Sequence, residues 1–249
     1  MKRKRELLEA LVLSRRSSGE ADRWVTFLTR EYGVVRAMAK GVRKVPSQRG
    51  PHLEPGTKVM AVLHEGRLGK YVGTVETTCY FHDLREDAEA LIAVQRVMRV
   101  VRGLFEELDQ HDSLYELVEW AWEELPKKAD EKRQLVEGAA LLGLLRMGGF
   151  LPDFQSCGKC ASTAPQEAVV LLPHEDGWKC VGCVSSLAQA QYSMSLPVLK
   201  LLKFLSREPR LAARVAVSRT HSDQLVQAVW QLAGITHPAQ SIHEVGLRI

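Results

Sequence analysis

Two cysteine pairs stand out first: "CGKC" at Cys157–Cys160 and, after a gap of nineteen residues, "CVGC" at Cys180–Cys183. Two Cys-x2-Cys elements are the ligand pattern of a tetrahedral zinc site. Each two-residue gap closes a tight turn that aims both sulfurs at one point about 2.3 Å away. Between the pairs, "EAVVLL" reads as a strand and Pro173–Gly177 as a turn, the parts of a zinc ribbon. Four thiolates close the coordination shell, whereas catalytic zinc keeps one position for water. The expected cofactor is therefore one structural Zn2+ held by Cys157, Cys160, Cys180 and Cys183. A nucleobase deaminase would carry His-x-Glu and Pro-Cys-x-x-Cys; here Cys180 follows Lys179, and the nearest histidine reads His174-Glu175-Asp176.

Persistent disulfides need an oxidising compartment. The basic start "MKRKR" is followed by "ELLEALVLSRR", which has acids and too short an apolar stretch for a signal peptide. A thioredoxin-like role would place a CxxC at the start of a helix in a βαβ setting. Cys79 is left over as a buried strand residue without a role. The expected setting is the cytoplasm, with no membrane span, since no apolar run approaches about eighteen residues.

Substrate chemistry finds no home. "GRLGKY" at Gly66–Tyr71 lacks P-loop spacing and the hydroxyl after Lys70, and Gly-x-Gly-x-x-Gly, His-Glu-x-x-His and Gly-x-Ser-x-Gly are absent. His221 beside Ser222 reads as part of a helix start. Glu106-Glu107 and Glu123-Glu124 read as solvated helix faces, and Trp120 with Trp122 as helix packing. The chain is expected not to be an enzyme.

Charge points to binding instead. Residues 1–80 hold 16 Lys and Arg against 8 Asp and Glu, leaving 18 against 22 in the rest; +8 and −4 make up the overall +4. A basic first third on an otherwise acidic chain implies an anionic partner for that part, with nucleic acid the leading candidate. Its cations lie at strand ends and loops: Arg15 and Arg16, Arg36 and Lys40, Arg43, Lys44 and Arg49 in "KGVRKVPSQRG", and Arg67 and Lys70 in a hairpin. Such placement suits phosphate contact. Nearby aromatics are few (Trp24, Phe27, Tyr32, Tyr71), and strand alternation is expected to bury two of them. Binding is then dominated by the backbone and tolerant of sequence.

The elements that must hold these residues are of two kinds. "EALVLSRRS", "RWVTFLTREYG", "VVRAMAKG", "TKVMAVLHEG" and "KYVGTVETTCYF" are five short β-type runs divided by turn residues. They predict a small five-stranded barrel of the oligonucleotide/oligosaccharide-binding (OB) type, with an SH3-like barrel competing on strand count alone. Gly33, Gly41 and Gly73 supply bends. From about residue 83 the period becomes helical, with Leu91, Val94, Met98, Val101 and Phe105 on one stripe. Ser113 with Glu116, Asp130, Ser195 and Ser222 are the expected caps; Pro126, Gly148-Gly149 and Gly234 are the expected stops. Leu135, Leu141, Leu142 and Leu145 form the buried face of the third long helix. The expected organisation is α+β and multidomain: an OB-fold barrel over 1–81, an α-helical domain over 82–249, and a zinc-ribbon insertion over 154–187.

The stretch "SSGEADRWVTFLTREYGVVRAMAKGVRK" resembles the N-terminal signature of the RecO family of bacterial recombination mediators. It has the Gly-Glu-x-Asp turn, the strand with "LTREYG" and the "AxAKGxR" strand end, and "LEPG" at Leu53–Gly56 falls at a similar Leu-x-Pro element. The helical part matches in architecture and cysteine placement. The resemblance implies an OB-fold that binds single- and double-stranded DNA and anneals complementary strands. With RecR, such a protein loads RecA onto DNA coated by single-strand-binding protein, whose acidic C-terminal tail it contacts through the helical domain. It implies a nucleoid-associated place in the cytoplasm. DNA contact is carried over to Arg15, Arg16, Arg36, Lys40, Arg43 and Lys44. The chain departs from the commoner pattern in its "MKRKR" start and in Trp24, where an aliphatic residue is usual. Two other readings stand beside this one: a protein-assembly adaptor working through the helical and ribbon segments, and an RNA-binding OB protein.

Overall fold

The computed structural model describes residues 5–45, 47–67, 69–106, 112–152, 154–163, 168–172, 177–184 and 192–233. It divides into two compact units, Met1–Lys127 and Lys128–Ile249.

In the first unit, β1 (Arg5–Ser18), β2 (Asp22–Thr29), β3 (Gly33–Ala39), β4 (Lys58–Gly66) and β5 (Gly69–Cys79) close a barrel in the order β1-β2-β3-β5-β4. All neighbours are antiparallel except β3 and β5, which pair in parallel through Ala37↔Lys70 and Met38↔Tyr71. That parallel pair, with closure of β4 onto β1, is OB connectivity, and it removes the SH3-like alternative. β1 can serve two neighbours because it is long and its register with β2 shifts between Val12 and Ser14, a bulge that bends the strand.

Alternation along each strand fills the interior. Leu8, Ala10 and Val12 from β1, Val25 and Phe27 from β2, Val35, Ala37 and Ala39 from β3 meet Val59, Ala61, Val72 and Val75. Phe27 is wholly enclosed, and truncating such a side chain to Ala costs about 3–5 kcal/mol. At Gly73 a Cβ would come within 2.2 Å of the His64 Nε2, so a side chain there would have to displace the His64 ring.

Three helices complete this unit: α1 (His82–Glu86), α2 (Ala88–Leu104) and α3 (Asp112–Glu124). The Asp87 carboxylate caps α2 by accepting from the Ala90 amide at 3.0 Å. α2 buries Ala90, Val94, Val97, Met98 and Val101, so the stripe turns slightly from the expected one and leaves Leu91 half-buried. α3 starts at Asp112, which puts Ser113 inside the first turn instead of at the cap, and it stops two residues before Pro126. Its polar flank is tied to the barrel: Lys58 Nζ lies 2.8 Å from Glu119 Oε1 and 3.1 Å from Glu9 Oε2. Arg30 reaches Glu116 and Glu119 and covers the Tyr115 ring, whose hydroxyl donates to Glu9. Burial first, then the charges of Glu9 and Glu119, hold the Tyr115 phenol well above its ordinary range.

The second unit contains α4 (Asp130–Met147), a three-stranded sheet of β6 (Val169–Leu172), β7 (Gly177–Cys180) and β8 (Tyr192–Met194) in the order β7-β6-β8, then α5 (Leu196–Arg207) and α6 (Arg219–Leu232). The ribbon's sheet thus takes in β8, past residue 187. The expected face of α4 is buried, and Gly148 and Gly149 (φ +75°) end it. Two caps fall elsewhere than expected, and Ser195 sits at the expected N-cap of α5 without its side chain capping the helix. Asp130 is the first helical residue of α4, after Ala129. Ser195 instead donates to Gln224 Oε1. Ser218, not Ser222, caps α6 by accepting from the His221 amide, while Ser222 is buried one turn in and donates to the Glu131 carbonyl. Gly234 and most of the Pro173–Gly177 turn lie outside the described residues. Among the described residues no helix is long and apolar enough to cross a membrane.

Candidate nucleic-acid interface and metal centre

Because strand residues alternate between faces, what is not in the barrel core points outward. Arg16 pairs with Trp24, Trp24 with Met38, and Met38 with Tyr71, so these four form one outer row across β1, β2, β3 and β5. The next row runs Ser14–Thr26–Arg36. Arg16 and Arg36 are exposed, and Trp24 keeps 38% of its surface open beside them. Of the aromatics named from sequence, Phe27 is in the core. Tyr32 packs against the core and donates to Glu6 at 2.9 Å. Tyr71 lies under the Lys40 ammonium, 4.7 Å from its ring centre, and Tyr32 lies 5.4 Å from Lys70 Nζ. Trp24 is the aromatic left open for stacking.

The loop after β3 is held by the turn between β1 and β2. Gly41 has φ +65°, a conformation that favours glycine, and its amide donates to Asp22 Oδ1 at 2.7 Å. The Arg43 amide donates to the Ala21 carbonyl and its guanidinium to the Gly19 carbonyl, both at 3.0 Å. These bonds present Lys40, Arg43 and Lys44 as exposed residues at one end of the barrel.

The remaining expected cations separate. Arg15 and Arg16 are adjacent and so point to opposite faces. Arg15 pairs with Glu54, while Arg16 faces outward. Arg49 is a clip: its guanidinium donates to the carbonyls of Val72 (3.0 Å), Gly73 (3.3 Å) and Lys40 (2.5 Å). Arg67 is exposed at the β4–β5 turn, beside Lys70 on β5.

Three cations were not singled out from sequence. Arg23, at the start of β2, has its proton affinity lowered by burial and by Arg15 and Arg43, with Glu54 opposing. Arg99 and Arg102 lie on α2. Burial, then the charges of Arg16, Arg99 and Arg36, lower the proton affinity of Arg102. A legible signal was present: "QRVMRVVRG" repeats Arg every third residue without an acid.

In the second unit the four expected ligands converge. All five cysteines are free thiols, and the sulfurs of Cys157, Cys160, Cys180 and Cys183 lie within 4.8 Å of one another, with Cys160 and Cys180 at 3.9 Å. A tetrahedral ion with metal–sulfur bonds near 2.3 Å would space its sulfurs by about 3.8 Å, so the cluster fits a metal ion. Local folding makes it: Ala161 N–H returns to the Cys157 carbonyl, Gly158 N–H donates to the Trp178 carbonyl, and the Cys157 sulfur accepts from the amides of Lys159 and Cys180. Buried Trp178 anchors the knuckle by donating from Nε1 to the Phe154 carbonyl at 2.8 Å. Burial pushes the Cys157 thiol up, but amides of Cys160, Cys180 and Lys159 outweigh it and bring it to about 6. Cys180 is pushed up to about 12 by burial and by bonds to Cys157 and Cys160. One thiolate is favoured and the next opposed, the crowding a bound cation relieves.

Two family models match the chain: recombination protein O N terminal over residues 1–80, and recombination protein O C terminal over residues 85–232.

Proposed function

The chain belongs to the RecO family, whose members are non-enzymatic mediators of recombination in DNA repair, and on that premise we propose that its barrel face is the DNA-binding surface. The observation that carries this is the outer face of the barrel, where Trp24 stands open beside Arg16 in its own row and Arg36 in the next, near the Lys40, Arg43 and Lys44 loop. Cations meet the phosphates and the indole accepts a base. With Trp24 as its open aromatic and cations around it, the face suits single and double strands of any sequence. The protein would hold two complementary strands by their backbones and let them anneal. With RecR it would help load RecA on DNA coated by single-strand-binding protein, in the cytoplasm and on the nucleoid.

The second unit supports the protein-partner half of this role. A cleft of about 250 Å3 is lined by Arg146, Lys203 and Arg207 beside Leu151, Pro152 and Phe154. Three cations beside a few apolar side chains suit an acidic peptide with a hydrophobic end, as the C-terminal tail of single-strand-binding protein would be. The four thiols hold a structural Zn2+ in this reading; the ion would tie Cys157–Cys160 to the β6–β7 hairpin, and no chemistry on a substrate passes through it.

Titration of fluorescent single-stranded DNA at several salt concentrations tests the barrel reading. Affinity should fall linearly on a log–log plot with salt, and the variant R36A/K40A/R43A/K44A should bind more weakly with a shallower slope. Salt-independent affinity, or a variant indistinguishable from the parent, overturns it. An adaptor without DNA contact would capture partner proteins and leave bare DNA alone; an RNA-binding protein would prefer RNA over DNA of equal length.

A further inference from the structure

The first unit's helix α2 packs beside β1 and brings to the barrel a second set of cations. Arg99 and Arg102 are three residues apart, so they share a flank of the helix. From Gln95 to Phe105 the segment contains three arginines and no acid. A flank that merely faces water usually interleaves both signs. Arg99 and Arg102 are half-buried, and Arg102 donates from Nε to the Met98 carbonyl at 3.1 Å, which holds its guanidinium against the helix. The charges that reach Arg102 are those of Arg99 on its own helix and of Arg16 and Arg36 on the outer face of β1 and β3. Among the described residues none of these four has an acidic partner.

Four guanidiniums gathered without an acid, two of them partly withdrawn from water, repel one another unless an anion joins them. Guanidinium forks match the oxygens of a phosphate in pairs, and several together hold one or two such groups better than an ammonium would. We propose that Arg16, Arg36, Arg99 and Arg102 form one phosphate-binding cluster, so that a DNA strand crossing Trp24 continues onto the flank of α2. The cluster rests on the reading that the barrel face binds DNA, and it extends that face beyond the barrel onto the first long helix.

The test uses the full chain and a fluorescein-labelled oligothymidylate over a range of salt. R99Q/R102Q should retain its helical content and reduce the log–log salt slope by about 1.4, two contacts at about 0.7 each for a single strand. R99K/R102K should keep most of the slope while binding more weakly, because ammonium retains charge but loses the fork. If R99Q/R102Q binds with the parental slope while R36A/K40A/R43A/K44A is weakened, the α2 cluster is overturned and the barrel reading stands. If neither variant differs from the parent, both fall. Should the double variant lose its fold, R99Q alone decides, with a slope reduced by about 0.7 expected and an unchanged slope fatal to the proposal.

Discussion

The Asp22 carboxylate accepts a hydrogen bond from the Gly41 amide at 2.7 Å, and so joins the two most recognisable stretches of the barrel, "GEAD" and "AKGVRK". The β1–β2 turn is in this sense a bracket for the cationic loop after β3. Asp22→Ala should lower barrel stability by about 1–2 kcal/mol and weaken DNA binding with little change in salt slope, because it frees the loop without removing a cation. Asp22→Asn retains an acceptor oxygen and should lie near the parent. Urea unfolding beside DNA titration checks both, and a slope that falls with Asp22→Ala would mean that the bracket does more than hold the loop.

Arg49 and Lys44 are five residues apart and should separate cleanly by experiment. Arg49 donates to three carbonyls, whereas Lys44 is exposed. Arg49→Ala leaves those carbonyls without their charged donor and should cost about 2–3 kcal/mol of stability, with a nearly parental salt slope. Lys44→Ala should leave stability within about 0.5 kcal/mol and remove about one phosphate contact from the slope. The reverse pattern would return Arg49 to the DNA interface.

Lys58 gives the first unit a distinctive alkaline limit. Burial lowers its proton affinity, but hydrogen bonds to Glu119 and Glu9 outweigh burial and raise it above 10.5. A folded-state value above the unfolded one contributes stability in full below the unfolded value, and that contribution is lost as pH rises through the folded one. Lys58→Met should therefore be less stable than the parent at neutral pH, by about 1–3 kcal/mol, and the gap should narrow above about pH 10.5. Denaturant midpoints of the two proteins across that range measure it; a gap constant with pH would exclude the ion-paired Lys58 as its source.

Much of this was readable in the sequence, and the exceptions share a cause. The five strands, the parallel-closed barrel's core and the four converging cysteines follow from period two and from ligand spacing, both local signals. The fate of each cation is not local. Arg15 and Arg16 look alike in a chain of letters, yet alternation sends one to Glu54 and the other to the outer face. Arg49 resembles its loop neighbours until β5 places three carbonyls around it. Arg99 and Arg102 sit in a helix that pattern reading assigns to packing, and only the approach of α2 to β1 puts them near Arg16 and Arg36. The displaced caps at Ser113 and Ser222 are a milder case: serines and threonines abound near helix starts, and tertiary bonds such as Ser222 to Glu131 compete for them.

Trp24 should report on binding optically. It is the open aromatic of the outer row, whereas Trp122, Trp178 and Trp230 are buried. Its fluorescence should quench on addition of single-stranded DNA, and Trp24→Ala should weaken binding by about 1–3 kcal/mol, without altering the salt slope. Trp24→Phe keeps a stacking face and should recover part of the loss. Quenching that persists in Trp24→Phe would assign the signal to another tryptophan and remove stacking from the account.

The thiol cluster predicts a division of labour between the two units. Cys157 and Cys160 are joined to Cys180 and Cys183 through the Cys157–Trp178 bridge and the amides around the Cys157 sulfur, so a bound ion fastens one knuckle to the other. Protein purified under reducing conditions should carry one zinc per chain by elemental analysis. Cys180→Ser should lose it, lowering the melting temperature and solubility, while the barrel's affinity for bare DNA changes less than twofold. The sign with pH follows from the ligands: zinc binds thiolate, so protonation competes with it, and metal should be lost progressively as pH falls. Metal content that is zero in the parent would remove the ion. A Cys180→Ser variant that keeps its fold but loses DNA binding would place the ribbon, instead of the barrel, at the nucleic-acid surface.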